Sequence, residues 1–593
     1  MNIQEKDILY QIYKTQYTNQ RELSEATGHS LGIVNRAIGE LLNEGLLNEE
    51  MQLTEKARKY INENKTRNAI ILAAGIGMRM VPINMEVPKG LIEINGEPLI
   101  ERIICQLHEN GIRKIYIVVG FMKEQYEYLI DKYDVELVVN SEYAEKNNLY
   151  SLKMVQKYLS NTYIIPCDVW CKTNPFNKYE LYSWYMVTDC MDENSTIKVN
   201  RKKELVIAPD GKPGNTMIGI AYLADSDAKI VSEKLQLLCE DRRNDNEFWE
   251  KTLYKKNRMI IAAKVVSEDD TIEINTYEQL RELDENSNQL KTEAIDIICN
   301  ALDVSSKSIT NITVLKKGMT NRSFLFSCKN KKFIMRIPGE GTDELIDRKK
   351  EANVYNIIRS KNICDNIIYI NAENGYKITE YIENARSCDP LNLQDVKHCM
   401  KRLKEFHDMK LKVEHDFNLF SQLEFYEGLW RGESSAYKDY YETKENILSL
   451  KTYIEKHAVE KVLTHIDAVP DNFLFVKENG EEQVRLIDWE YAGMQDPHVD
   501  IAMFAIYSLY NRKQVDQLID IYFSGECSEV NRIKIYCYIA VCGLLWSNWC
   551  EYKRKLGIEF GEYSLKQYRY AKDYYRIVKR VLGDIDNHSE GDN

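Results

Sequence analysis

Between Leu463 and Phe475 the chain reads LTHIDAVPDNFLF, and VRLIDWEYAG follows shortly after it. The spacing of Asp467, Asn472 and Asp488 suits transfer of a charged group to a hydroxyl. Asp467 is placed to reach an acceptor O–H. Asn472, one loop turn on, and Asp488, beyond the next strand, are placed to hold a divalent cation. His465 suits loop orientation through hydrogen bonds. Three residues at these offsets are unremarkable alone; the apolar strands on either side and Asp488 in register set them apart.

A second chemical string lies far upstream, in TRNAIILAAGIGMRMVPINMEVPKGLIEINGEPLI, Thr66 to Ile100. The apolar run Ala69–Ala73 reads as a buried strand that breaks at Ala74 into Gly75 and Gly77, with Arg79 and Lys89 beyond. Glycine lets the backbone approach a ligand closely, and successive loop N–H groups form an anion cradle. Leu72, Ala73, Ala74, Gly75 and Gly77 are therefore candidate nucleotide contacts, and Arg79 and Lys89 are cations suited to a triphosphate. A tight turn with both cations in solvent is the other reading of the loop alone. In TYIIPCDVW a strand ends at Asp168, a position for a carboxylate that holds a divalent cation or caps a helix; charge building on anionic phosphate oxygens calls for such a cation.

Taken whole, AAGIGMRM with PKGLIEINGEPLIERII resembles the nucleotidyltransferases that activate sugars and phosphocholine with an NTP. SEYAEKNNLYSLKMV is similar to the bacterial CTP:phosphocholine cytidylyltransferases in particular, and the resemblance covers nearly all of 67–285 and favours CTP. Asn147 and Asn148 are then contacts to base or sugar, or else simply a polar loop capping the helix from Tyr150. The family generally carries a second metal carboxylate late in the domain. Here TIEINTYEQL has Asn275 at that position, which offers a carbonyl but no charge, with Glu273 on the same strand face. For a quaternary ammonium acceptor, Trp184, Tyr185, Phe248, Trp249 and Glu250 are candidates, each equally a core residue when taken singly.

The strings GMTNRSF, MRIPG, HIDAVPDN and IDWEYAG together resemble choline and ethanolamine kinases of the aminoglycoside phosphotransferase-like class, over most of 312–510. That resemblance implies phosphate contacts from Gly318, Thr320 and Asn321, a strand cation at Arg336 paired with a helix acid at Glu351, and Asp500 bracing the catalytic loop. Tyr491, Trp546 and Trp549 are the aromatic faces that would hold a trimethylammonium group, with Trp430 a further candidate. Two tryptophans three apart on a helix are also ordinary core.

These sites need three modules. Residues 1–65 show three helices, a short hairpin and a closing helix, resembling a winged helix-turn-helix. Acidic residues outnumber basic ones there and the third helix offers Arg36 as its one cation. Phosphate neutralisation dominates DNA affinity, so DNA binding is not favoured over a protein-interaction or regulatory role. Residues 66–285 read as a Rossmann-like nucleotidyltransferase with a mixed, mostly parallel sheet. DENSNQL (284–290) is a candidate linker, and 290–593 read as a bilobal, protein-kinase-like fold.

A net charge of −13 argues against nucleic acid or anionic membrane as the main partner. The cysteines show no CxxC pair, no apolar run approaches a membrane span, and a cytoplasmic location is expected. The resemblances imply Mg²⁺ as cofactor, with choline, phosphocholine, ATP and CTP as ligands. They imply consecutive reactions: choline to phosphocholine, then phosphocholine to CDP-choline, for decorating surface polysaccharide. Two alternatives remain. One is the same chemistry on ethanolamine, another amino alcohol or an aminophosphonate; the other is a transcriptional regulator whose catalytic domains sense metabolites. Oligomeric state is not legible.

Overall fold

The computed structural model describes residues 1–589 except 16, 18, 201, 210, 316–320, 340, 341, 343, 344, 431, 433, 479 and 556–559. The chain divides into two compact units, one of residues 1–297 with 312–314 and one of 298–311 with 315–593.

In the first unit, α1 (Ile3–Lys14) starts with a capping box between Asn2 and Glu5. Helix α2 (Gln20–Thr27) starts at Asn19, whose side chain accepts from the amides of Arg21 and Glu22. Helix α3 (Leu31–Asn43) follows, then a Leu47–Leu53 bridge and α4 (Glu55–Glu63). Ile8, Leu9, Leu23, Val34, Ile38, Leu41 and Ile61 form the core of this winged helix.

The strand Asn68–Ala73 then enters the interior of a ten-stranded sheet, third from one edge. It pairs in parallel with Ile115–Val119 and Thr162–Pro166, and Glu136–Val139 adds in parallel at the edge. All six residues of Asn68–Ala73 are buried, as a parallel strand covered on both faces requires. Beyond Thr162–Pro166 the pairing turns antiparallel through Gly214–Leu223 to Trp184–Asp192, apart from one parallel pair with Arg258–Val266. The sheet is thus mixed, with its parallel half carrying the glycine loop.

The segment 284–290 is no free linker. Glu93 N–H donates to Gln289 Oε1 at 2.8 Å, Asn95 N–H to Asp284 Oδ2 at 2.8 Å, and the Tyr277 hydroxyl to the Leu290 carbonyl at 3.0 Å. Its polar side chains are spent on backbone groups of the hairpin at 93–98, within the first unit, which composition alone does not reveal.

In the second unit, strands Asn321–Cys328, Lys331–Pro338, Lys377–Glu380 and Ile367–Ile370 pair antiparallel in that order, with the helix Arg348–Ile358 following the second. A helical lobe completes it. Gly543 lets the helices Glu529–Lys555 and Glu562–Ser589 approach closely, since a Cβ there would lie 2.8 Å from the Gln567 carbonyl and 2.9 Å from the Ala571 amide. The helix Glu529–Lys555 corrects one expectation: by length and composition it could cross a membrane. Its apolar window is wholly buried, so it is the core helix of this lobe.

Candidate active sites

The glycine loop opens onto a cavity of about 420 Å³ lined by Leu72, Ala74, Gly75, Gly77, Arg79, Lys89, Asn148 and Asp168, among others. Ala73 lies behind it in the core. Gly77 sits at φ +66°, a left-handed backbone, with the Lys89 side chain 3.4 Å from where a Cβ would stand. That turn packs the loop against the aliphatic stem of Lys89.

Lys89 Nζ donates to Asp168 Oδ2 and, at 2.8 Å, to Asn275 Oδ1. Arg79 donates to the same Asn275 oxygen at 2.8 Å. The strand Val169–Cys171, directly after Asp168, pairs with Thr271–Glu273, which ends two residues before Asn275, so two segments distant in sequence meet at one point. Burial, and next the Asp168 charge, raise the Glu273 carboxyl above its ordinary value. Asp168 Oδ1 is buried without a partner. An orphaned carboxylate oxygen beside a second carboxylate and an amide carbonyl fits a hard divalent cation. Among the described residues no group of three His, Cys, Asp or Glu could hold a metal ion.

Asn147 caps its helix, its side chain accepting from the Asn148 amide at 2.7 Å. Asn148 lines the cavity, but its carbonyl accepts from the Trp249 amide at 2.8 Å, leaving its NH₂ as the group it can present to a ligand.

Two aromatic expectations are corrected. Trp184 is 2% exposed and packs in the core against Tyr163, with Lys264 Nζ 4.0 Å over its ring. Trp249 is 1% exposed and packs against Tyr185 on the other side of the sheet. Neither lines the cavity; Phe248 and Tyr143 do. Strand alternation leaves open which side of the sheet Trp184 takes, and Trp249 starts a short 3₁₀ turn that packs onto the opposite face; both rings end in the core.

In the kinase-like unit, Arg336 and Glu351 pair through two parallel bonds of 2.5 and 2.8 Å, and Arg336 also donates to the Gly375 carbonyl at 2.9 Å. Arg348 reaches Glu351 at 3.2 Å and Glu490 at 3.4 Å. Lys377, directly opposite Arg336 in the sheet, lies 3.9 Å from Glu351 and donates to the Tyr355 hydroxyl at 2.7 Å. Arg348, Lys377 and Glu490 went unread in the sequence. Glu490, two residues past Asp488, was the legible signal.

Asn472 Nδ2 donates to Asp467 Oδ2 at 3.0 Å and to the Asp467 carbonyl at 2.9 Å. Burial, then the charges of Asp488 and Glu490, push the Asp467 carboxyl up to about 8. Asp488 adopts φ +65° and is likewise raised, by burial first, with Lys377 and Arg336 opposing. His465 is buried and pushed down to about 4 by desolvation, hence neutral, and donates Nε2–H to the Ile487 carbonyl at 3.0 Å. Asp500 accepts the amides of His465 and Ile466 at 2.9 and 2.7 Å and is itself met by His407 Nε2 at 2.9 Å.

Tyr491 and Trp546 meet edge to face at 5.6 Å, as do Trp546 and Trp549. All three rings are buried in the hydrophobic core of the lobe, and burial first, then Tyr426, Glu490 and Asp467, raise the Tyr491 phenol. Trp430 packs on Tyr440 instead. Gly318 and Thr320 lie outside the described residues; of Asn321 the backbone is described, paired opposite Pro338.

Three family models match the chain: a winged helix-turn-helix DNA-binding model at residues 1–48, a MobA-like NTP transferase domain at 69–176, and a choline/ethanolamine kinase at 312–521. The choline-phosphate cytidylyltransferase of Streptococcus pneumoniae is 41% identical over 168 residues, 28% of this chain and 73% of that protein. The 2-aminoethylphosphonate cytidylyltransferase of Lancefieldella rimae is 31% identical, over 32% of this chain and 80% of its own length. Protein LicA of Haemophilus influenzae is 26% identical over 42% of this chain and 96% of its own. With the glycine loop, Lys89 and Asp168 converging in one cavity ahead of a kinase-like unit, the chain belongs to the choline-phosphate cytidylyltransferase family, here fused to a winged helix and a choline/ethanolamine kinase domain.

Proposed function

We propose that the chain phosphorylates choline with ATP and transfers CMP from CTP to the resulting phosphocholine, releasing pyrophosphate and CDP-choline. One observation carries this: a single chain holds both the Lys89–Asp168–Asn275 cluster under a glycine loop and the Asp467–Asn472 pair beside Asp488.

In the kinase unit the choline hydroxyl attacks the γ-phosphorus, the bond to the β–γ bridging oxygen breaks, and the hydroxyl proton passes to Asp467. A carboxylate within hydrogen-bond reach of the hydroxyl serves as the general base for that transfer. Asn472 holds the Asp467 carboxylate in position, and Asp500 fixes the loop beneath it through two amides. The Arg336–Glu351 fork holds the strand cation against the helix. The aromatic group Tyr491–Trp546–Trp549, whose Tyr491 follows three residues after Asp488, suits a trimethylammonium, which cannot hydrogen-bond but is attracted to π faces.

In the nucleotidyltransferase a phosphocholine oxygen attacks the α-phosphorus of CTP and the bond to pyrophosphate breaks. Lys89 and Arg79 face the triphosphate and offset the charge gathering on it, and the Gly75–Gly77 backbone cradles it. Asp168, Asn275 and Glu273 in the first site, and Asn472 with Asp488 in the second, would hold Mg²⁺, which neutralises phosphate oxygens when bound.

A second acceptor reading has its own observation. Trp184 and Trp249 lie in the core, and a relative acts on 2-aminoethylphosphonate, so a primary amine remains a candidate for the cytidylyl acceptor. Incubating the full chain with choline, ATP, CTP and Mg²⁺, with ethanolamine and 2-aminoethylphosphonate in parallel, and identifying products by mass spectrometry tests both readings. CDP-choline supports the first. Activation of the primary amines alone supports the second.

A further inference from the structure

The winged helix is built into the nucleotidyltransferase rather than tethered to it. No free linker separates α4 from the strand that delivers the glycine loop. Lys65 bridges Tyr179, the Thr66 amide donates to the Lys178 carbonyl at 3.0 Å, and the Arg67 amide donates to the Asn161 carbonyl at 2.9 Å. From the other side, the Glu180 amide donates to the Asn64 carbonyl at 3.3 Å.

The segment thus captured, 172–183, runs from Val169–Cys171, directly after Asp168, to the strand Trp184–Asp192. Tyr179 and Leu181 are buried in the hydrophobic core of the winged helix itself. Tyr13 meets Tyr179 edge to face at 5.4 Å, and Lys14 donates to Asn177 Oδ1 at 2.8 Å.

Asp7 on α1 is the polar centre of this junction. Its carboxylate accepts from His29 at 2.9 Å within the winged helix, from the Tyr182 hydroxyl at 2.6 Å in the captured segment, and from Lys203 at 3.2 Å in the turn before the strand Glu204–Ile207. One half-buried acid with donors from three segments fixes their mutual position. Meanwhile Arg36, the single cation of α3, donates to Gln4 at 3.1 Å.

We propose that the winged helix is an intramolecular support of the cytidylyl-transfer site, with Asp7 as its positioning residue. It holds the base of the glycine-loop strand and the segment behind Asp168 in register. The proposal rests on the nucleotidyl-transfer reading of that site.

The test uses the full chain, with Asp7→Ala, Asp7→Asn and Tyr182→Phe, the last removing one hydroxyl while keeping the ring. Cytidylyl transfer is measured with CTP and phosphocholine, and choline phosphorylation in the same preparations. Small displacements of positioned groups cost up to about a hundredfold. Asp7→Ala is expected to lower kcat for cytidylyl transfer about tenfold while the KM for CTP changes about twofold or less. Asp7→Asn, which keeps an acceptor for Tyr182, should recover part of that loss, and choline phosphorylation should be unchanged. Should Asp7→Ala fail to fold, Tyr182→Phe decides, with a loss of about threefold in kcat expected. An active parent chain matched in kcat by the folded variants overturns this proposal alone. A parent that transfers no CMP overturns the site reading, and this proposal with it.

Discussion

Arg336 and Glu351 share two parallel N–H···O bonds of 2.5 and 2.8 Å, both residues almost wholly buried, with Arg348, Lys377 and Glu490 packed around them. A fork of this geometry needs a planar guanidinium, and a lysine ammonium is a point charge that cannot replace both bonds. Although protein kinases place lysine here, Arg336→Lys should therefore lower choline phosphorylation by about tenfold or more. Steady-state rates on the purified variant check this. Unchanged turnover would show that one bond suffices.

The two chemical centres are separate constellations, so their losses should separate. Asp467→Ala should abolish phosphorylation of choline while cytidylyl transfer from supplied phosphocholine persists. Lys89→Ala should do the reverse, because Lys89 binds both Asp168 and Asn275. Each variant assayed for both half-reactions gives the answer; loss of both activities in a folded Asp467→Ala protein contradicts independent sites.

At Asn275 one amide oxygen accepts from Lys89 and Arg79 together, beside an orphaned Asp168 oxygen and a Glu273 carboxyl raised by burial. Asn275→Asp adds a charge to that cluster and is expected to lower the Mg²⁺ concentration giving half-maximal cytidylyl transfer several-fold. A magnesium titration that does not move would remove position 275 from the metal shell.

The buried tryptophans yield a prediction about stability. Trp184→Ala opens a core cavity and should cost about 3–5 kcal/mol of unfolding free energy. Trp184→Phe, which keeps most of the ring volume, should leave the KM for phosphocholine nearly unchanged. Thermal melts and kinetics on both variants distinguish a core residue from a ligand contact.

Asp7 supplies the pH dependence. Burial opposes its ionisation, but the bonds from His29, Lys203 and Tyr182 prevail and hold the carboxyl below its ordinary value. The stability contributed by such a group is fully present above the unfolded value of about 3.9 and is lost as pH falls through the lower folded value. Calorimetric melting at about pH 7 and about pH 3.5 should show a smaller acid-induced drop for Asp7→Asn than for the parent chain. Equal drops would mean the carboxylate charge contributes nothing there.

Features that are local in sequence were the legible ones. The glycine loop needs only Ala74 to Gly77 and the cations after it; the HxD loop needs only His465 to Asn472. The three helices and bridge of the winged helix follow from caps and spacing within 65 residues. What stayed hidden depends on convergence. Lys377 reaches Glu351 from a neighbouring strand and Glu490 reaches Arg348 from far along the chain, so their meeting around the Arg336–Glu351 pair is a property of the folded lobe. Asp7 reads as an ordinary surface acid on an amphipathic helix until Tyr182 and Lys203 are brought to it. Polarity read as a linker at 284–290 because composition does not show which backbone groups those side chains meet.

The most direct test follows one phosphoryl group through both sites. The full chain is given choline, CTP and ATP bearing heavy oxygen in its γ-phosphoryl group, and the product is fragmented in the mass spectrometer. The account predicts CDP-choline whose label lies in the phosphoryl group attached to choline, with labelled phosphocholine appearing first. Unlabelled CDP-choline, or labelled phosphocholine that is never converted, would contradict two consecutive reactions on one chain.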